Sequence, residues 1–333
     1  MSFIQSIQDA YAGLHTFLYA QIVEPILFYT GKMAWAEDLF EGTEWFMLGL
    51  IQIAIIALVF RTWERFDPAE TQTNTKSFVR TDILYTLIHR LGIFHGLFFV
   101  VFSGFFFYLS GVLHDWRFER FNVEGWLPGV TSIPIVSFVI YLVLLDFIDY
   151  CYHRASHRFH WWWQLHALHH SQTRMTAWSD DRNHVLDDVM RAMVFAFFAL
   201  VFGIPPSQFI FLVVVSQLIQ SWQHANINID LGRAKYLLVS PLFHRYHHAV
   251  GYGHDVPGKP GVLGGCNFGV LFPWWDMAFG TAVFEKRAFP TGVRNLEVSN
   301  NVVVQQWQGL RHSFAQLFGS KQASQTKSKI VSS

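Results

Sequence analysis

Three histidine clusters stand out by their spacing: His153-x-x-x-His157, His166-x-x-His169-His170 and His244-x-x-His247-His248. Residues three and four apart lie on one face of an α-helix, so each cluster can aim two or three imidazoles at a common point. That is the spacing of metal ligands. Neutral imidazole suits iron, zinc, copper and nickel, and the clusters hold no cysteine or glutamate that would build a thiolate or carboxylate-rich site. Eight histidines exceed what one tetrahedral or octahedral ion can use, so the pattern calls for two metals. A lone histidine is usually structural, and His15, His89, His95, His114 and His312 are read that way.

A ligating imidazole normally donates its other N–H to a carboxylate, carbonyl or water. Asp146 and Asp149 stand seven and four residues before His153, on the same helical face. Either can orient that ring, and Asp149 can equally pair with Arg154 or cap the helix. The two cysteines, Cys151 and Cys266, are too few for a disulfide framework, a four-thiolate zinc site or an iron–sulfur cluster.

The elements that position these residues belong to a membrane protein. Of 333 residues 52% are hydrophobic and 14% charged, with 34 Phe and 13 Trp, which is too apolar for an ordinary soluble domain of this size. The net charge is zero, so there is no basic surface for nucleic acid. The first basic residue is Lys32, which leaves no basic region of a cleavable signal peptide and assigns insertion to internal segments. The expected fold is all-α and integral to the membrane, with about four transmembrane helices and a histidine-rich helical cap. Spans are expected near 45–60, 84–113, 133–150 and 190–221, the last a hairpin broken at Ile204-Pro205-Pro206. The cap then comprises 151–189 and 222–290. Residues 1–44 form an amphipathic segment, and 291–333 a second amphipathic helix, with Val303, Trp307, Leu310, Phe314 and Leu317 at helical spacing, followed by a disordered tail from Ser320. Residues 1–44 are acidic and the connection after the first span carries Arg61, Arg65, Lys76 and Arg80, so the N-terminus is expected outside and every histidine cluster on the cytoplasmic side.

The order HxxxH, HxxHH and a later HxxHH resembles the fatty acid hydroxylase/sterol desaturase superfamily of membrane di-iron oxygenases. The resemblance spans roughly residues 45–285, and its motifs are closest in style to bacterial sterol-desaturase-like proteins and alkylglycerol monooxygenase. Arg182-Asn183-His184-Val185-Leu186-Asp187 stands where many members carry an RxHPxE-like element, with Val for Pro and Asp for Glu. His224 matches a histidine that follows the membrane hairpin. By this resemblance His184 and His224 join the eight cluster histidines as ligands, and Arg182, Asp187, Asn267 and Asp276 become supporting residues beside Asp149. Asn267-Phe268-Gly269, Trp275-Asp276 and Phe279-Gly280-Thr281 are similar to the family's closing segment, although Gly264-Gly265-Cys266 replaces the acidic residue that often precedes the Asn.

The resemblance implies two iron ions that activate O2 and oxidise a C–H bond of a lipid, by hydroxylation or desaturation of a fatty acyl chain, sterol or ether lipid. It places the protein in a bacterial inner membrane or the endoplasmic reticulum. No fused electron donor is visible, which calls for a separate reductase, ferredoxin or cytochrome. Two other classes compete. A membrane zinc hydrolase would use an open three-ligand site, but HExxH is absent. A metal transporter would set its histidines within the membrane or in disordered tracts.

Overall fold

The structure, a computed structural model, describes residues 3–71 and 76–318; the tail expected from Ser320 lies outside them. The first helix, α1 (Phe3–Leu18), passes through a π turn at Tyr19–Val23 into α2 (Glu24–Thr30). Gly31 ends it at φ 67°, a left-handed value open to a residue without Cβ. Next come α3 (Ala36–Ile55) and α4 (Arg61–Phe66), joined by a π turn at Ile56–Phe60. Together they lie in one apolar helical run, Met33–Phe66. The helical run that contains the span expected at 45–60 begins before residue 44, with Glu37, Asp38, Glu41 and Glu44 inside α3.

The second expected span is broken. Gly92, at φ 77°, separates α5 (Lys76–Arg90) from α6 (Ile93–Asp115). Beyond Phe94, α6 buries none of its side chains in the protein. Pro134, within the first turn where its missing N–H costs nothing, starts α7 (Pro134–Ser156). Thus among the described residues three helices, Met33–Phe66, Ile93–Asp115 and Pro134–Ser156, have the length and apolarity to cross a membrane. The hairpin arms α9 (Val185–Phe202) and α10 (Pro206–His224) do not reach that apolarity: α9 opens with Asp187, Asp188 and Arg191, and α10 carries Ser216, Gln217 and Gln220. Gly203 at φ 67° ends the first arm, and Pro206 opens the second.

The cap consists of α8 (His160–His170), α11 (Pro241–His247), α12 (Trp274–Phe279) and α13 (Val302–Phe318). It departs from the all-α expectation in one place. β1 (Asp255–Val256) and β2 (Lys259–Leu263) form an antiparallel hairpin across Pro257-Gly258, where proline fixes φ and Gly258 takes φ 74°.

Apolar packing supports the cap from below. Tyr141 and Leu145 of α7 meet Ile204 and Leu212 of the helical hairpin, with Val123. Ile56 packs with Ala177, Trp178, Ala225 and Ile227. The cap interior itself is polar. Buried Arg90 donates to Asp180 (2.6 Å), Asp181 (2.9 Å) and Ser221 (3.0 Å), tying α5 to the loop after α8 and to α10. Glu64 accepts from the amides of Ala177 (2.7 Å) and Asn226 (2.9 Å). Charges this deep are tolerable only when paired and hydrogen-bonded, and once paired they specify one arrangement.

Candidate metal centre

Four helices deliver imidazoles to one region of the cap. His153 lies in the last turn of α7 and His157 caps it. Further along the chain, α8 carries His166, His169 and His170, and α10 ends on His224. Ser240 accepts from the amide of Phe243 to start α11, which carries His244 and His247 and is capped by His248. The rings separate into two buried groups, each of which could hold a metal ion: His153, His157, His166, His170 and His247 in the first, and His169, His224, His244 and His248 in the second.

The HxxHH clusters do not each point to a single place. In α8 the i and i+4 rings, His166 and His170, enter the first group and the i+3 ring, His169, enters the second. At α11 the assignment is reversed: His244 and His248 serve the second group and His247 the first. Every HxxHH cluster therefore feeds both groups.

In the first group, all five Nδ1 atoms have partners outside the group. Nδ1 of His153 donates to the carbonyl of Phe268 (2.9 Å), that of His157 to Gly264 (3.2 Å) and that of His247 to Cys266 (2.7 Å). His166 donates to Asp187 (2.9 Å), and His170 is hydrogen-bonded with Nε2 of His254 (3.0 Å). Three of these acceptors are alternate carbonyls of one segment, 264–268, arranged like the teeth of a comb. The intervening residues take the positive φ this needs, 132° at Gly265 and 56° at Asn267. A Cβ on Gly265 would fall 2.2 Å from the carbonyl oxygen of Gly253, so only glycine fits. With Nδ1 engaged, Nε2 of His153, His166 and His247 is buried without a partner, and Nε2 of His157 and His170 face each other at 3.1 Å.

In the second group the Nε2 atoms also converge: His169 on His224 (3.1 Å), His224 on His244 (3.1 Å) and His244 on His248 (3.2 Å). Adjacent nitrogens around an ion with metal–nitrogen bonds of about 2.1 Å lie roughly 3 Å apart, so this spacing suits a shared cation. Of the Nδ1 atoms only that of His224 is held, by the carbonyl of Gln220 (2.8 Å); those of His169, His244 and His248 are buried without a partner. Buried polar atoms without partners are rare, and their concentration on these rings fits metal binding. Burial first, and neighbouring imidazoles next, push His157, His169, His170, His244, His247 and His248 well below the usual imidazole range. Each is then the neutral ring that a cation requires.

Nine of the ten histidines singled out in the sequence lie in these groups; His184 does not. It caps α9, with Nδ1 accepting from the amide of Leu186 (3.1 Å) and Nε2 donating to the carbonyl of Gln306 (2.8 Å), so both its nitrogens are occupied. The carboxylate of Asp149 pairs with Arg191 through two hydrogen bonds, while Nδ1 of His153 is held by Phe268 and Arg154 donates to Tyr150. Asp146 accepts from the amides of Leu271 (2.7 Å) and Phe272 (3.3 Å) and from the indole of Trp275 (2.8 Å). Asp187 takes His166, together with Tyr152 (2.6 Å) and Trp162 (2.8 Å). Arg182 donates to Asp82 (2.6 Å).

The closing segment is a brace for the comb. Asp276 accepts from the amides of Phe268 (2.9 Å) and Gly269 (2.6 Å), and Asn267 from the amide of Val283 (2.7 Å). His254 is the residue the sequence reading missed. It lies outside any cluster, and only the β-hairpin brings it under His170. Burial pushes its ring down to about 4 despite Asp255 nearby.

A cavity opens on five of the rings, His153, His166, His169, His224 and His244. Along α7 its wall runs from His153 through Asp149 to Leu145 and Leu142, and Phe98, Phe195, Phe209 and Val213 line the apolar end. The Asp149–Arg191 pair thus stands about one helical turn, roughly 5 Å, from His153, with hydrocarbon-lined space beyond.

Residues 138–281, the histidine-bearing part of the chain, match the fatty acid hydroxylase family. The chain is 28% identical over 143 residues to the ornithine lipid hydroxylase OlsE of Rhizobium tropici, covering 43% of this chain and 40% of that protein. It is 29% identical over 142 residues to the alkylglycerol monooxygenase of Xenopus tropicalis, covering 43% of this chain and 29% of the relative. The fatty acid hydroxylase vlmA of a Lecanicillium species is 23% identical over 160 residues, 46% of this chain and 44% of the relative. The match spans less than half of each of these relatives. No solved structure matches.

Proposed function

We propose that the chain is a di-iron lipid oxygenase that takes its substrate from the bilayer and inserts oxygen at, or removes hydrogen from, a carbon beside a polar group. The observation that carries this reading is the cavity: it joins five of the nine gathered imidazoles to an apolar slot, which a lipid oxidase needs and a metal carrier does not. Nε2 of His153, His157, His166, His170 and His247 would hold one ion, and Nε2 of His169, His224, His244 and His248 the other. Iron bound there supplies the one-electron O2 chemistry that no side chain can perform.

The remaining work belongs to the chain. Leu142, Phe195 and Phe209 seat hydrocarbon and exclude water. The Asp149–Arg191 pair offers an acceptor and a donor about one turn from His153, which favours a lipid with a polar function roughly 5 Å from the reacting carbon. The names of the relatives, an ornithine lipid hydroxylase and an alkylglycerol monooxygenase, support a polar lipid. The basic residues Arg61 and Arg65 after the first span support a cytoplasmic cap, reached there by a separate electron-donor protein.

Iron content and O2 uptake by the purified protein test the class. Two irons per chain, with O2 consumed when reductant and a polar lipid extract are present, are expected; stoichiometric zinc with no uptake would overturn the reading. Mass spectrometry of lipids from deletion and complemented strains tests the substrate. A change of one oxygen or two hydrogens in a fragment close to the polar group is expected, and a change confined to the middle of an acyl chain would contradict the assignment.

A further inference from the structure

The helix α13 is amphipathic in the inverted sense. The face it turns to the protein is small and polar, with Gln305, Gly309 and Ser313 buried, whereas its outward face is apolar. Val303 is 76% exposed, Trp307 63%, Phe314 52%, Leu317 50% and Phe318 76%. A helix on the surface of a water-soluble body turns its apolar stripe inward. The reverse arrangement makes sense only where the surroundings are themselves apolar.

Hydrogen bonds fix which face is inward. Tyr85 of α5 donates to Gln305 (2.8 Å) and accepts from Gln306 (3.0 Å), which also donates to the carbonyl of Asn183 (3.0 Å). Gln306 further accepts from the amide of Val185 (2.8 Å) through its side chain and from His184 through its carbonyl. Gly309 is seated directly on His184, where a Cβ would meet the ring at 2.6 Å. Rotating the helix to hide its apolar stripe would break this set.

The anchors also say where the helix lies. Tyr85 lies in α5, which leads through the break at Gly92 into the apolar helix α6. His184 caps and Val185 begins α9, the first arm of the helical hairpin, whose later residues 194–202 are apolar. Thus α13 is bolted at two places where the chain turns into its apolar elements, which is the depth of the membrane surface. Trp307 and Phe314 on that face, with exposed Arg311 beside them, match the side chains that settle at the boundary between headgroups and acyl chains.

We propose that α13 lies in the surface of the bilayer on the cap side, its Val303–Trp307–Phe314–Leu317–Phe318 face in contact with lipid, and that it couples the membrane to α8. The inference rests on the chain being a membrane protein and not on the identity of the metal. It gives α8, which α13 covers and which carries His166, His169 and His170, a fixed height above the leaflet.

Nitroxide labels at Val303→Cys, Phe314→Cys and Ala315→Cys, in the full chain with Cys151 replaced by Ser and reconstituted in phosphatidylcholine/phosphatidylglycerol vesicles, test the proposal. Ala315 is exposed and shares the polar edge of the helix with Arg311 and Gln308, four and seven residues before it. Labels at 303 and 314 should be several-fold more accessible to O2 than to a water-soluble nickel chelate, with the reverse at 315. Nickel access at 303 and 314 would put the face in water. Protection from both reagents with spin–spin broadening would put a second copy there; either result overturns the proposal. The unaltered chain provides an independent test with lipids carrying a photoactivatable acyl chain. Adducts within 302–318, in addition to those on the spans, are expected; adducts on the spans alone would report a normally inserted protein whose α13 is not in the membrane.

Discussion

The two imidazole groups draw on the same helices but are gripped differently. In the first, five rings each rest their Nδ1 on a carbonyl, a carboxylate or another imidazole; in the second, three of four Nδ1 atoms have no partner. A metal-bound ring carries its proton on the far nitrogen, and a buried N–H left unpaired costs about 1–3 kcal/mol. On the proposed metal-binding reading, the first group has the firmer supports for an ion, and the second, with fewer rings and three of them lining the cavity, is the more open. Two sites of similar ligand type can differ in duty through their supports alone.

Removing a ring from either group has the largest expected effect and breaks the comparison if the groups are not separate. His170→Ala and His248→Ala should each lose about one of two metal equivalents and lower turnover by more than the 10–100-fold typical of outer-shell changes. Loss of both metals from one substitution, read by elemental analysis, would mean a single joint site.

Supports come next. Asp187→Asn and His254→Ala should weaken metal binding at the first group by about 10–100-fold and leave the second nearly unchanged. Equal loss from both would show that the supports act on the cap as a whole. Smaller again, a chelator should strip the second group first, with release rates about tenfold apart, equivalent to about 1.4 kcal/mol; simultaneous release would remove the contrast in grip.

Acid sharpens the same contrast. The buried rings are held below the ordinary value of 6.5, so below that pH the unfolded chain takes up protons that the folded chain refuses. The metal-free protein should lose thermal stability steadily as pH falls from about 6.5, and bound metal should oppose the loss. A melting temperature that does not change between pH 7 and pH 5 would contradict neutral buried rings. The smallest effect is expected at His184→Ala, which removes a helix cap worth about 1 kcal/mol and should leave both metals in place. Loss of a metal there would return His184 to the ligand set.

Much of the site was legible because helical spacing is written locally. His153, His157 and the two HxxHH clusters declare themselves by position, and the resemblance brought in His224. The division of each cluster between two groups was not legible, because i, i+3 and i+4 share a face yet diverge by enough to enter different groups. His184 was misleading for the same reason that His254 was invisible: an isolated histidine takes its role from tertiary partners, Gln306 in one case and His170 in the other. The supports of the first group are mainly carbonyls of Gly264, Cys266 and Phe268, and a backbone acceptor leaves no mark in side-chain identity. Among the apolar elements, α6 and α7 were readable from composition, whereas the break at Gly92 and the shortfall of the hairpin arms depend on φ at one residue and on a few scattered polar side chains.

The exchange of rings between the HxxHH clusters also bears on how the protein is made. Five of the gathered imidazoles, His153, His157, His166, His169 and His170, leave the ribosome close together, well before His244, His247 and His248, and before the comb ending at Phe268. Neither group can close until the later cluster arrives, because each takes rings from it. A metal captured early would be bound by His166, His169 and His170 together, a combination the finished fold divides between its two sites. On the proposed metal-binding reading, loading belongs after synthesis, when the cap is complete.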